Sequence, residues 1–361
     1  MLTYSPFRHI GSIFSKSPPI HLTFFITRRC NARCSFCFYL SDENNAEENS
    51  PELSLDEIEK VSSSMGPLLW LAFSGGEIFL RDDIDDIAQL FYKRNRPSIM
   101  LFPTNGLLAG RITEKVESIL RTCTKSTVVV KLSLEGPESV HDSIRGEGSF
   151  SKTMKTYEAL GPFLDRYPNF ELGINTLFCS ATQDTVDELI VFVAGLDKIK
   201  THTVSLIRGS VGDNSLKEVD MAKYHETITK LASNLQKNIS ATYRFRGARL
   251  KAAQDIVQRS IIHKTMVENR QVIPCYAGKL NLVLTESGDV YPCESFTMKL
   301  GNVREQGYSM KRILDSPHAK NIINSIHDRK CFCTHECYLM TNILFNPRLY
   351  PQLAKEYLRL R

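Results

Sequence analysis

Three cysteines on one short segment constrain this chain more than anything else: Cys30, Cys34 and Cys37 in the run Thr27-Arg28-Arg29-Cys30-Asn31-Ala32-Arg33-Cys34-Ser35-Phe36-Cys37. Thiols this close can share one metal centre, but a 4Fe-4S cluster normally takes four thiolates. Three leave one iron open, as catalytic metal sites keep one coordination position free. Such a loop points to chemistry and not only to electron storage. Two plainer readings compete, a zinc site short of its fourth ligand and three buried thiols in a reducing compartment. Further motifs, in order along the chain, favour the cluster.

The apolar strand 22–26 precedes the cysteines, and Phe73-Ser74-Gly75-Gly76-Glu77 comes after a second apolar stretch, 68–72. Two glycines at a strand's carboxyl end permit close backbone approach, although alone they mark an ordinary strand-to-helix turn. Three more strands turn polar at their ends: 99–106 with Asn105, 128–137 with Ser133 and Glu135, and 170–177 with Asn175. A sixth, 202–207, runs into Arg208-Gly209-Ser210. Between them, 55–64, 84–92, 112–121, 151–163 and 185–193 carry apolar residues at helical spacing. Alternating strands and helices from about 22 to 210 predict an α/β fold with a parallel sheet and crossover helices. Chemistry in such folds collects at the carboxyl ends of the strands.

The C-x3-C-x-F-C spacing, the Gly75-Gly76-Glu77 segment, and Ser133-Leu134-Glu135-Gly136-Pro137 followed by His141-Asp142-Ser143-Ile144-Arg145-Gly146 together resemble the radical S-adenosylmethionine (radical SAM) enzymes. The resemblance implies a partial (β/α)6 TIM-like barrel with a smaller carboxyl-terminal cysteine-rich α+β domain. It implies a 4Fe-4S cluster on Cys30, Cys34 and Cys37 whose open iron chelates S-adenosylmethionine. One-electron reduction, from a partner such as flavodoxin or ferredoxin, would then yield a 5'-deoxyadenosyl radical that removes a hydrogen atom from a peptide or small-molecule substrate. The residues it places at the cofactor are Phe36, Ser74, Gly75, Gly76, Glu77, Asn105, Ser133, Arg145 and Asn175. Gly-Gly-Glu carbonyls and the Glu77 carboxylate would accept from the methionine ammonium, Ser133 would face the ribose, and Arg145 would pair the cofactor carboxylate. Glu135 stands where the family has Asp, which keeps an acceptor but alters its reach. Without the resemblance, Ser133 reads as a helix cap and Arg145 as a surface ion pair.

The carboxyl-terminal region carries a second signal. Cys275, Gly288 and Cys293 form a C-x12-G-x4-C pattern around a hairpin, 280–284 and 290–291, and Cys331, Cys333, His335 and Cys337 lie farther on. This resembles the SPASM and Twitch extensions of radical SAM enzymes. It implies one auxiliary 4Fe-4S cluster on Cys275, Cys293 and two of Cys331, Cys333 and Cys337, because five cysteines are too few for two fully ligated clusters. Spacing favours Cys333 and Cys337, leaving Cys331 spare; a structural zinc site from the same residues is the other reading. Glu294, next to Cys293, resembles an acidic residue that takes a proton from the substrate radical, and desolvation is expected to raise its pKa. The plainer reading is a hydrogen-bonded structural carboxylate. Cys123 and Cys179 read as buried small hydrophobes.

A length of 361 residues suits about two domains. The expected division is a segment 1–19, a barrel 20–215, a helical bridge 216–268, a cluster domain 269–340 and a tail 341–361. A net charge of +5 without arginine-rich, aromatic-interleaved blocks argues against nucleic acid. No stretch has the length of a transmembrane helix and the amino terminus lacks a signal-peptide layout. Ten cysteines clustered at ligand spacings then suit iron ligation in the cytoplasm. Segment 41–50, with Asp42, Glu43, Glu47 and Glu48, reads as a polar loop. A peptide-leader-binding domain is not expected in the residues before the first strand. A lipid substrate at a membrane surface is the alternative: Phe7, Ile10, Ile13 and Phe14 share a helical face beside Arg8, His9 and Lys16, and 349–361 is basic and apolar. Packing of these ends on the barrel is the preferred reading. The competing non-catalytic class is an iron-sulfur electron carrier or zinc-stabilised binding module, against which the intact triad and Gly75-Gly76-Glu77 speak.

Overall fold

The computed structural model describes residues 3–40, 51–241, 243–328 and 331–360, so segment 41–50 lies outside them. Six strands, β1 (His21–Thr27), β2 (Trp70–Gly75), β3 (Ile99–Thr104), β4 (Thr127–Ser133), β5 (Phe170–Phe178) and β6 (Thr201–Leu206), lie side by side in chain order, each parallel to its neighbour. The helices α1 (Leu55–Ser63), α2 (Ile84–Asn95), α3 (Ala109–Thr122), α4 (Glu138–Arg145), α5 (Ser149–Leu160), α6 (Phe163–Arg166) and α7 (Val186–Ala194) make the crossovers. This is the expected partial barrel. Side chains alternate across each strand: Leu22 and Phe24, Leu71 and Phe73, and Val128, Val130 and Leu132 join the core beneath the helices. Their neighbours Thr23, Ala72, Val129, Lys131 and Ser133 line the bore instead. Strand β2 begins two residues later than its apolar run, because Leu68 and Leu69 bond to Asn95 and Ile20 as a lead-in.

Helices α8 (Met221–Gln236) and α9 (Ala248–Glu268) come next. Tyr224, Ile228, Val257 and Ile261 pack with Phe178, Val204 and Leu206 of β5 and β6. Helix α9 turns Lys251, Asp255 and Gln258, at i, i+4 and i+7, into the bore.

The expected hairpin forms as β7 (Asn281–Leu284) and β8 (Asp289–Tyr291), with β9 (Gly301–Asn302) beyond it. It does not stand apart from the barrel. Strand β7 pairs parallel with β1, His21 opposite Asn281 and Phe24 opposite Leu284, so the sheet runs to nine strands. Helices α10 (Met310–Asp315), α11 (Pro317–His327), α12 (Glu336–Leu344) and α13 (Tyr350–Arg359) complete the chain. The amino-terminal segment makes a 3-10 helix, Pro6–Ile13. Ile13 packs with Ile20, Leu69, Leu280 and Phe345, and Leu353 of α13 is buried, so both ends spend apolar residues on the body of the protein. Among the described residues no helix is long and apolar enough to cross a membrane.

Candidate functional site

A cavity of about 350 Å³ occupies the bore and opens at the carboxyl ends of the strands. Cys30, Cys34, Cys37, Phe36, Ser74, Gly75, Gly76, Glu77, Asn105, Ser133, Arg145 and Asn175 all line it. The loop after β1 carries the cysteines, and its backbone serves their sulfurs: Ala32 N–H donates to Cys30 Sγ and Leu40 N–H to Cys37 Sγ, both at 3.4 Å. Asn105 Nδ2 donates to Asn31 Oδ1 at 2.7 Å, tying the end of β3 to the same loop. Burial pushes the Cys30 and Cys34 thiols up, while the Arg145 guanidinium pulls both down. Three sulfurs with N–H donors on two of them and a cation alongside suit an iron-sulfur cluster.

Close packing explains the glycines. A Cβ on Gly75, which sits at φ +128°, would lie 2.3 Å from Thr27 O, and one on Gly76 would lie 2.2 Å from Arg29 O. Gly76 N–H bonds to Thr27 O at 2.8 Å and Glu77 N–H to Arg29 O at 2.9 Å, so β2's end is pressed on the stem of the cysteine loop. The buried Glu77 carboxylate accepts from Phe79 N and Thr104 Oγ1 on Oε1 and from Asn105 N on Oε2. Burial raises its pKa, and these bonds oppose that. Oε2 accepts a single bond and keeps one further acceptor position, fewer than a free carboxylate would offer.

Glu135, the departure from the family's Asp, has a defined place. Its Oε1 accepts from Arg145 Nε at 2.9 Å and Nη2 at 2.6 Å, and its Oε2 from Leu177 N at 2.8 Å. The extra methylene lets one carboxylate bind both α4 and β5. The guanidinium lies 5.5 Å from the Phe36 ring centroid. Asn175 Oδ1 accepts from Ser205 Oγ at 3.4 Å, and Ser133 stands opposite Asn175 in the β4–β5 register.

Glu294 also lines the bore, but its expected high pKa is corrected. Burial does push it up, yet His335 and Arg208 outweigh burial and hold it at about 2. Its Oε2 accepts from Arg208 Nη2 at 3.2 Å and pairs with His335 Nε2 at 2.5 Å. A carboxylate held that low is a weak base. Arg208 reaches Glu336 as well, at 3.7 Å.

The late cysteines divide between two cavities. Cys275, Cys293, Cys331 and Cys333 line one of about 130 Å³, beside Ile326, Tyr338 and Leu339. Burial pushes the Cys275 thiol up to about 11, and the neighbouring Cys293 raises it further. Cys337 lines the bore instead, its Sγ within 4.8 Å of ligand atoms on Glu294 and His335. Cys337 also packs on the same apolar cluster as Cys275, Cys293 and Cys331. His335 caps α12 and Cys337 falls in its first turn. Cys123 and Cys179 are fully buried.

Spacing missed Arg208, Lys131, Lys251 and Trp70 as members of the bore. Arg208 had a signal, since it ends a strand as the other polar groups do. Lys131 had one too, a lone cation in an apolar strand. Burial, with Lys251 and Arg259 nearby, brings it down to about 7.

Residues 24–165 match the Radical SAM superfamily and residues 275–338 match SPASM, an iron-sulfur cluster-binding domain. The AdoMet-dependent heme synthase of Methanosarcina barkeri is 27% identical over 78% of this chain and 79% of its own length. The cysteine-type anaerobic sulfatase-maturating enzyme of Clostridium novyi is 25% identical over 84% of this chain and 81% of its own. In fold, native anSMEcpe with bound AdoMet and Kp18Cys peptide aligns at a TM-score of 0.59 and 18% identity, covering 94% of this chain and 96% of that one. The ordered motifs, the barrel that gathers them and these matches lead to one conclusion: this chain belongs to the radical SAM superfamily and is an enzyme carrying a SPASM iron-sulfur domain at its carboxyl-terminal end.

Proposed function

We propose that this enzyme cleaves S-adenosylmethionine in the bore and abstracts a hydrogen atom from a peptide or small-molecule substrate held there. What carries the reading is that the three cysteines and all nine residues expected at the cofactor line one cavity at the strands' carboxyl ends. Cys30, Cys34 and Cys37 would hold the 4Fe-4S cluster. When bound, that cluster and S-adenosylmethionine supply a 5'-deoxyadenosyl radical. The rest is the chain's own work. The carbonyls of Gly75 and Gly76 and the open position on Glu77 Oε2 would accept from the methionine ammonium. Arg145, oriented by Glu135, would present its remaining N–H groups to the cofactor carboxylate. Ser133 and Asn175 would meet the ribose side. Glu294, already paired, would hold Arg208 and His335 rather than take a proton. Electrons would come from a small reductant such as flavodoxin or ferredoxin in the reducing cytoplasm.

We assign the auxiliary cluster to Cys275, Cys293, Cys331 and Cys333, supported by the cavity they share; Cys337, which packs beside Cys275, Cys293 and Cys331 but lines the bore, is the alternative fourth ligand. Anaerobic reconstitution should give about eight irons per chain, four per cluster, and 5'-deoxyadenosine on adding dithionite and S-adenosylmethionine. Replacing Cys30, Cys34 and Cys37 together by Ala should abolish it; persistent cleavage in that variant would sink the reading. Cys331→Ser should lose about four irons and Cys337→Ser about none. The reverse pattern would return the ligand role to Cys337, and zinc in place of iron would make the site structural.

A further inference from the structure

A second cavity, of about 480 Å³, lies at the other end of the barrel between the 3-10 helix Pro6–Ile13, α9, α12 and α13. Its walls are mainly apolar, from Ile10, Leu69, Phe245, Leu344, Phe345 and Leu353 among others. Its size falls within the range of small-molecule sites, about 300–1,000 Å³. Trp70, Lys251 and Met340 line both this chamber and the bore, so these three side chains stand between them.

The bore reaches that wall from the cysteine loop. Val129, Lys131, Ser133 and Glu135 of β4 and its continuation all line it, a run of about 20 Å at roughly 3.3 Å per residue. Trp70, the first residue of β2, is only 7% exposed, and its indole Nε1 has no hydrogen-bond partner. A buried donor left unpaired is costly, and a ligand acceptor would relieve that cost. Lys251 Nζ stands 6.0 Å from the centre of the indole, and Lys131 Nζ donates to the neutral hydroxyls of Thr201 and Thr203. Lys251 is already ion-paired with Asp255, so the wall offers N–H donors rather than unpaired charge, while the chamber beyond it offers little but apolar surface. An extended peptide would bring a backbone N–H and C=O at every residue, which such a chamber could not satisfy. A hydrocarbon chain or ring system brings none. Phe7 and Ile10, 48% and 60% exposed, form part of the chamber's outer wall.

We propose that the chamber and the lower bore bind an elongated amphiphile, with its apolar end in the chamber, a hydrogen-bond-accepting group at Trp70, and the remainder running up the bore toward the cysteine loop. This names the substrate class for the activity proposed above and rests on that reading for the chemistry at the upper end; the binding itself requires no iron.

Trp70 is the sole tryptophan of the chain, so its emission reports on the wall directly. The probe is dodecanoate below its micelle concentration, measured on the full chain by equilibrium dialysis and by Trp70 fluorescence, with acetate as the headgroup control. Near-stoichiometric binding with a saturable change in Trp70 emission is expected, and acetate should be silent. Ala354→Phe, at an exposed position of α13 that lines the chamber, should weaken dodecanoate at least tenfold while leaving the melting temperature and 5'-deoxyadenosine formation unchanged. Absence of binding, binding that leaves Trp70 unmoved, or equal affinity in Ala354→Phe would each overturn the site. The two readings fail separately: dodecanoate binding without cofactor cleavage removes the radical chemistry, and cleavage without binding removes only the chamber.

Discussion

At position 76 the absence of one methyl group decides whether the cysteine loop has its shape. Gly76 lies so close to Arg29 that an added Cβ would meet the carbonyl oxygen at 2.2 Å, and a backbone atom cannot swing aside as a side chain can. Gly76→Ala should therefore push β2's end off the loop stem and disturb the hydrogen bonds from Gly76 N to Thr27 O and from Glu77 N to Arg29 O. Overpacking of this kind costs about 1–3 kcal/mol. The expected outcome is a lower melting temperature and loss of the barrel cluster's share of iron after reconstitution, with the carboxyl-terminal share retained. A variant with full iron content and unchanged melting would show that the loop tolerates displacement. The Gly-Gly-Glu segment was visible as a motif, and its glycines read as a place of close backbone approach, a cofactor contact or a strand-to-helix turn. That they also seat the cysteine loop depends on a contact across the sheet that no local pattern encodes.

Helix α1 shows how one element can serve two parts of the fold. Ser54 and Glu57 make a reciprocal capping box at its start. Glu57 also accepts from Arg304, at 2.7 Å on Oε1 and 3.0 Å on Oε2, and from Tyr308 at 3.0 Å. The Arg304 bonds hold the Glu57 carboxyl at about 2, against an ordinary 4.5. A carboxyl depressed on folding stabilises above its unfolded value and loses that contribution as pH falls toward its folded one. Glu57→Gln should thus cost about 1–2 kcal/mol at pH 7, kept small because the pair is partly solvated. The gap should narrow between about pH 4.5 and pH 2 and vanish below, as followed by denaturant midpoints at each pH. A gap that stays constant with pH would assign the loss to the cap alone. The helices and strands themselves were legible because apolar spacing is a local property. That Cys337 lines the bore was not, because counting residues says nothing of the turn at which α12 begins.

On the scale of the whole molecule, the carboxyl-terminal hairpin was legible but its mooring was not. Alternating residues and a glycine turn, with Gly288 at φ +90°, identify β7 and β8; nothing in Asn281–Leu284 names β1 as partner. The pairing has an energetic consequence. Leu282, Leu284, Val290, Val303 and Ile313 share one apolar core with Leu22, Phe24, Leu53 and Ile58 of the barrel. Removing the hairpin would bare the edge of β1 and one side of that core together. The expected division at 269 is therefore a boundary in sequence across which the β-sheet and apolar core continue. If they unfold as one unit, amides of β7 should open with the same free energy as those of β1 to β3, whereas α8, on the separate cluster around Tyr224, is free to open earlier. Native-state hydrogen exchange resolves this strand by strand. Exchange in β7 faster than in β1 by 10²-fold or more, about 2.7 kcal/mol at roughly 1.36 kcal/mol per factor of ten, would make the hairpin an independently opening module. Matched exchange would mean that the surroundings of the auxiliary cysteines and of the cysteine loop are held by a single cooperative structure.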